Sequence, residues 1–224
     1  MGSKASRNTS IEALRLVAVA GIAIFHTFQW TFQAACAGLP EYAPLAVFPY
    51  SGALGLINLL GCWANEVFFM ISGYFLIPSA VRALQNGSSA QGLTLKSLGR
   101  LNTLWKLSYK STSVISFILA AASVAAAALH QPRHKVTAAD KTIMSLAAGT
   151  LAFYAVQSFT CNVWRPIFDN AIYTMATGIQ TGTPRPAAAI LLGILMSLCL
   201  ALSLLLVDIV RRAVVDAIKA RMNG

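Results

Sequence analysis

Acidic residues are scarce in this chain: seven Asp and Glu stand against seventeen Lys and Arg in 224 residues. Charge of both signs together is only 11%, while 57% of residues are hydrophobic. An ordinary soluble domain carries about 25% charged residues, so this balance excludes a soluble globular fold and points to a bilayer. Cysteine is equally sparse. Cys36, Cys62, Cys161 and Cys199 lie far apart with no Cys-x-x-Cys spacing, which excludes a disulfide framework or a thiolate metal site, and no metal ligand set is expected. The basic excess lacks a continuous basic face, so nucleic acid is excluded as a partner. Membrane lipids are the expected surroundings, and the Lys and Arg mark the loops held on the cytoplasmic side.

Apolar stretches run over about 11–32, 53–78, 103–129, 142–160 and 187–210. Each approaches the ~20 residues that cross ~30 Å of hydrocarbon. The expected fold is all-α, a polytopic transmembrane helix bundle of about four to six spans. Residues 1–10 form a cytoplasmic segment, 11–210 the membrane domain and 211–224 a basic cytoplasmic tail.

Lys4 and Arg7 before an apolar run, with Ala34, Ala35 and Ala37 around Cys36, have the outline of a signal peptide. Glu12, Arg15 and His26 interrupt the apolar core, however, and Gln33 suits a lipoprotein cleavage site poorly. Helix 1 is therefore expected to be a span leaving the cytoplasm. The Pro-rich stretch 32–51 contains no Lys or Arg and suits an external loop. Helix 2 returns inward and is expected to stop at Pro78. The loop with Arg82, Lys96 and Arg100 is cytoplasmic, and a third helix from near Leu101 to Leu129 is expected to end outside. Beyond it, full crossings at both 142–160 and 187–210 would leave Arg211, Arg212, Lys219 and Arg221 outside. The positive-inside rule argues against that, so 142–160 crosses incompletely or 164–182 crosses as well, giving four or six spans. The Ala-rich run 120–128 reads as close helix packing, and Leu191 to Val210 as the plainest lipid-facing helix.

Chemistry concentrates on helix 1. From Arg15 to His26 is eleven residues, or 1100° at about 100° per residue, only about 20° from three full turns. The two groups share one face, about 16 Å apart along the axis. Val19 and Ile22 lie between them on that face, and Gln29 and Gln33 beyond. Ionisable groups at membrane depth normally face a bundle interior or a wet cavity, so this column marks a candidate site. The bland alternative is an Arg15 that snorkels to the headgroups and a His26 that is only hydrogen-bonded. On helix 2, Glu66 follows Asn65 and needs a partner, for which His26 and Arg15 are available. Ser72-Gly73 either permits close helix approach or lets Ser72 bond back to its own helix.

Glu12-x-x-Arg15, the ten-residue spacer to His26, and the later segment Phe68-Phe69-x-x-Ser72-Gly73-Tyr74-Phe75-Leu76 together resemble the membrane acyltransferase family 3. The resemblance is clear over 8–80 and weaker over Lys96 to Tyr109, which includes Arg100 and Trp105. It implies transfer of an acyl group, commonly acetyl from acetyl-CoA, to a hydroxyl of a cell-envelope glycan at the bacterial cytoplasmic membrane. His26 would be the general base or a transient acyl carrier, with Glu66 orienting it. Arg15, Glu12, Ser72 and Arg100 would serve substrate binding. The acyl-CoA is a donor substrate, and no bound cofactor is implied. Glu12 replaces the Asp more frequent in the family. The chain is also shorter than usual members, with fewer spans, so partner helices or a homo-oligomer could complete it. A catalytically incompetent membrane partner or remnant is the competing class. An ion pathway along Arg15, Glu66 and His26 is a third, without the inverted repeat usual in transporters.

Overall fold

A computed structural model describes residues 8–85, 114–130 and 136–222. The described residues are helical, with no strand among them. They form α1 (Thr9–Cys36), a 3-10 turn (Pro40–Tyr42), α2 (Ala43–Ala46), α3 (Tyr50–Gln85), α4 (Val114–Leu129), α5 (Ala138–Ala147), α6 (Thr150–Thr177) and α7 (Pro186–Met222). Among the described residues, three stretches are long and apolar enough to cross a bilayer: Thr9–Cys36, Tyr50–Gly73 and Pro186–Met222.

α1 starts with a local device. Asn8 caps the helix, its side-chain oxygen accepting from the Ser10 amide at 2.9 Å, and so satisfies one of the donors a helix start leaves open. Glu12 in the first turn places negative charge where the helix dipole favours it. From there α1 is the central element, touching α3, α4, α5, α6 and α7.

Two apolar clusters give the bundle its height. At the end where α1 begins, here the basal end, Ile11, Ala18 and Ile22 pack with Val67, Ile71, Phe153 and Leu205. At the other, distal end, Ile24 and Phe28 pack with Leu54, Ile57, Ile172 and Ala189. α3 and α7 therefore run antiparallel to α1, and α6 runs parallel to it. α1 begins and α7 ends at the same end.

Close approach depends on two glycines. A Cβ on Gly61 of α3 would enter the Phe25 ring, and one on Gly193 of α7 would enter the Phe28 ring and the Ile172 side chain. Beside Gly193, Ser197 donates to Thr27 Oγ1 at 2.8 Å, and Thr27 donates to its own helix at the Ala23 carbonyl, 3.1 Å away.

Several sequence expectations change. α3 does not stop at Pro78 but continues to Gln85. Proline removes one amide donor, an interruption that membrane helices accommodate. The third helix does not end at the far side: Asn8 Nδ2 donates to the Ala127 carbonyl at 3.1 Å, which ties the end of α4 to the start of α1. Residues 142–160 and 164–182 are not separate crossings. The chain bends near Gly149, and one helix, α6, then runs the height of the bundle. This removes the parity conflict, because α6 rises and α7 returns. α7, in contrast, is the least buried of the three long apolar helices, as its sequence leads one to expect. Leu191, Leu195, Leu198, Leu202 and Leu206 are exposed, but Gly193, Ser197, Ala201, Leu205 and Asp208 are buried on the opposite side. The helix also continues without a break through Met222. Residues 86–113, including the expected start of the third helix, lie outside the described residues.

Gly193→Leu forces a side chain into the packed junction of α1, α6 and α7 and is expected to destabilise the bundle by about 1–3 kcal/mol or more. Gly55→Ala, where an added Cβ meets nothing within 4 Å, leaves stability unchanged or slightly raised. Thermal unfolding in detergent compares the two.

Candidate active site

At the basal end Arg15 Nη1 donates to Glu12 Oε2 at 2.9 Å, one turn away on α1. Glu12 is only 1% exposed, so a carboxylate within the protein holds the guanidinium near the surface. The packing register of α1 against α7 sets Asp208 near the level of Arg15, because Phe28 meets Gly193 and Thr27 meets Ser197. Asp208 is 3% exposed. Its Oδ1 accepts from Arg211 Nε and Nη2 at 2.9 and 2.7 Å, and its Oδ2 accepts from Arg212 Nε at 2.8 Å. Arg212 Nη2 also donates to the Ser145 carbonyl at 2.7 Å, which joins α7 to α5. Sequence reasoning took Arg211 and Arg212 as topological signals alone. The missed signal was Asp208, a lone acid in an apolar run with arginines three and four residues later.

Between the two levels, α1 presents the face expected of it. Val19 and Ile22, which separate Arg15 from His26, are 1% and 0% exposed. This middle part of the face looks into the bundle, while Arg15, His26 and Gln29 are partly buried and Gln33 is exposed. His26 lies about 16 Å further along the axis, its ring 5.3 Å from that of Phe25. It hydrogen-bonds to the Gln29 side chain and lies within electrostatic range of Arg165 on α6.

Glu66 is not at the level of His26. Gly21 faces Ala64 and Gly61 faces Phe25, a register that sets Glu66 opposite the turn around Val19 and Ala20. That is about 10 Å short of His26 at 1.5 Å per residue. Its recorded bond is from Ser116 Oγ of α4 to Oε1, 3.0 Å long. Its other oxygen is buried without a hydrogen-bond partner among the described residues. The expected orienting contact to His26 gives way to a tie between α3 and α4, because interhelical register, invisible in either helix alone, decides which polar groups meet. Ser72 donates to the Phe68 carbonyl at 2.8 Å, the back-bond open to it from the start. Arg100 lies outside the described residues.

Above His26, residues from three segments meet. Tyr42 and Tyr173 have ring centroids 5.7 Å apart, and Asp169 lies one turn before Tyr173 on α6. Burial raises the Tyr42 phenol above its ordinary range. A hydrogen bond with Trp30 opposes this, while the nearby Asp169, Tyr173 and Glu41 add to it. Arg165 Nε and Asp169 Oδ2 are 3.9 Å apart. No group of three or more His, Cys, Asp or Glu suited to a metal ion occurs among the described residues.

The fold and this column define a helical membrane protein with ionisable groups along its central helix. A family model described as an acyltransferase domain, acyltransferase 3, matches residues 8–125, which is more than half of the chain and includes Arg15, His26, Glu66 and Ser72. The chain belongs to this acyltransferase family. Comparison with curated proteins and with solved structures returned no significant match.

Ser116→Ala leaves the buried Glu66 carboxylate without its recorded bond and is expected to lower stability by about 1–3 kcal/mol. Glu66→Gln, which keeps an oxygen for Ser116 to donate to, is expected to unfold close to the wild type when both are followed by thermal unfolding in detergent.

Proposed function

We propose that the protein is an O-acyltransferase of the bacterial cytoplasmic membrane that moves an acyl group, acetyl in the simplest case, from acyl-CoA to a hydroxyl of a cell-envelope glycan. The observation that supports this most directly is the face of α1 through Val19 and Ile22, which carries Arg15 near the basal surface and a partly buried His26 about 16 Å further along the axis. The excess of Lys and Arg beside the basal ends supports a cytoplasmic basal side, where acyl-CoA is found. Arg15, steadied by Glu12, offers a planar donor set to the phosphates or pantetheine amides of the donor. We take Ser72 and Arg100 as substrate-binding residues on the strength of the family resemblance.

His26 acts as general base. Its imidazole nitrogen takes the proton of the acceptor hydroxyl as that oxygen attacks the thioester carbonyl carbon. The tetrahedral intermediate collapses with cleavage of the carbon–sulfur bond, and the departing thiolate receives the proton from the imidazolium. An ester and free CoA thiol result. Glu66 contributes through the α3–α4 tie.

Arg15→Ala and His26→Ala are each expected to reduce acyl transfer at least about 100-fold while the protein remains in the membrane. The measurement is alkali-labile acetate in the envelope of a gene-deletion host complemented with each variant. Full acetylation by His26→Ala rules out the mechanism. An unchanged acetate content on deletion of the gene favours the non-enzymatic alternative. For topology, a membrane-impermeant thiol reagent applied to intact cells is expected to label Cys36, which is exposed at the distal end of α1, but not a cysteine introduced at Asn8.

A further inference from the structure

The family match ends at residue 125, yet His26 is faced by α6, well beyond it. α6 rises beside α1, with Phe153 in the basal cluster and Ile172 packed with Phe28 in the distal one. This register sets Asp169 beside the turn that carries His26 and the backbone of Arg165 about 7 Å lower at 1.5 Å per residue, with the guanidinium extended toward Asp169 and so toward His26. Pro166, within the turn from Arg165 to Asp169, supplies no amide donor, so the carbonyl of Asn162 loses its usual helical bond. The segment is therefore polar in its backbone as well as in its side chains.

Arg165 is half-buried, 32% exposed, and within electrostatic range of His26. Its recorded charged partner is Asp169, with Nε and Oδ2 3.9 Å apart, beyond hydrogen-bond range. Asp169 is 18% exposed, and its Oδ1 is buried without a hydrogen-bond partner among the described residues. The pair is thus close enough to keep the guanidinium near His26 and too loose to occupy its five donors. A cation held at membrane depth with spare donors favours a negative charge beside it. Acyl transfer generates one, on the carbonyl oxygen of the thioester.

On the basis of the proposed acyl transfer, we infer that Arg165 is a second catalytic residue, donating to the carbonyl oxygen of the acyl group as the acceptor oxygen adds to the carbonyl carbon. Asp169 is the positioning residue that holds it. His26 takes the acceptor proton on one side of the reacting carbon, and Arg165 stabilises the oxyanion on the other. When the carbon–sulfur bond breaks, the oxyanion returns to a neutral carbonyl and the thiolate leaves with the proton from His26. Arg165 carries its charge unchanged throughout. α6 completes a centre of which α1 supplies the base.

The test uses membrane vesicles containing the full chain, radiolabelled acetyl-CoA as donor, and the host envelope as acceptor, with alkali-labile label counted at several donor concentrations. Arg165→Gln is expected to lower kcat about 100-fold or more with the donor KM changed less than about threefold, and Arg165→Lys to recover part of the loss. A purely structural ion pair behaves differently, because removing both charges relieves the unpaired one. The double variant R165Q/D169N is therefore decisive. Catalysis as slow as in the single Arg165→Gln variant, with wild-type thermal unfolding, supports the inference. Recovery of the wild-type kcat in the double variant overturns it, as does an Arg165→Gln protein that changes only KM. Full rate in Arg165→Gln together with loss in His26→Ala overturns this inference and leaves the proposed function standing. No transfer by the wild type overturns both.

Discussion

The whole bundle depends on burying α1. A helix at the centre of a membrane protein cannot give its polar groups to water, so its buried polar side chains favour partners on the same or a neighbouring helix. Glu12 meets Arg15 within the helix, Thr27 meets Ser197 of α7, and His26 meets Gln29 with Arg165 of α6 nearby. The apolar clusters and the glycine contacts set the heights at which these helices settle, and polar pairs form where that register allows. The charged residues consequently lie in tiers: Arg15 with Asp208, Arg211 and Arg212 at the basal surface, Glu66 at middle depth, and His26 with Arg165 and Asp169 above.

On the proposed function, such a tiered arrangement suits a donor and an acceptor that approach from opposite sides. The basal tier is rich in guanidinium, each pinned by a nearly inaccessible carboxylate. The upper tier mixes aromatic rings, a carboxylate and amides, with Tyr42, Tyr173 and Trp30 around Asp169. The first composition favours phosphate. The second offers stacking faces and hydrogen bonds, as a polyol demands.

Much of this was legible in the sequence where a single helix contains the relation. The eleven-residue step from Arg15 to His26 follows from helical pitch alone, and the burial of Val19 and Ile22 agrees with it. The Ser72 back-bond is likewise local. What escaped was anything set by register between helices. Whether Glu66 meets His26 depends on where Gly21 and Gly61 seat α1 against α3, and neither helix specifies that by itself. Arg165 and Asp169 were overlooked for a related reason. A charged pair four residues apart reads as an ordinary helix surface until the neighbouring helix is in place. The sequence of α6 reads as two separate stretches because its mixed polarity matches a helix shielded by others rather than one facing lipid.

Gly61 lies on α3 and takes no part in any chemistry, yet the ring of Phe25 occupies the space its side chain would fill. Phe25 immediately precedes His26, and the two rings are in contact distance. The rotation of α1 at that height, and with it the direction in which the imidazole points, is thus fixed by an absent methyl group on another helix. A family member with alanine at this position would have to turn or lift α1 to fit, and would carry its histidine to a different place above the same basal arginine. In this architecture a residue with no functional group acts as the gauge for one that has it.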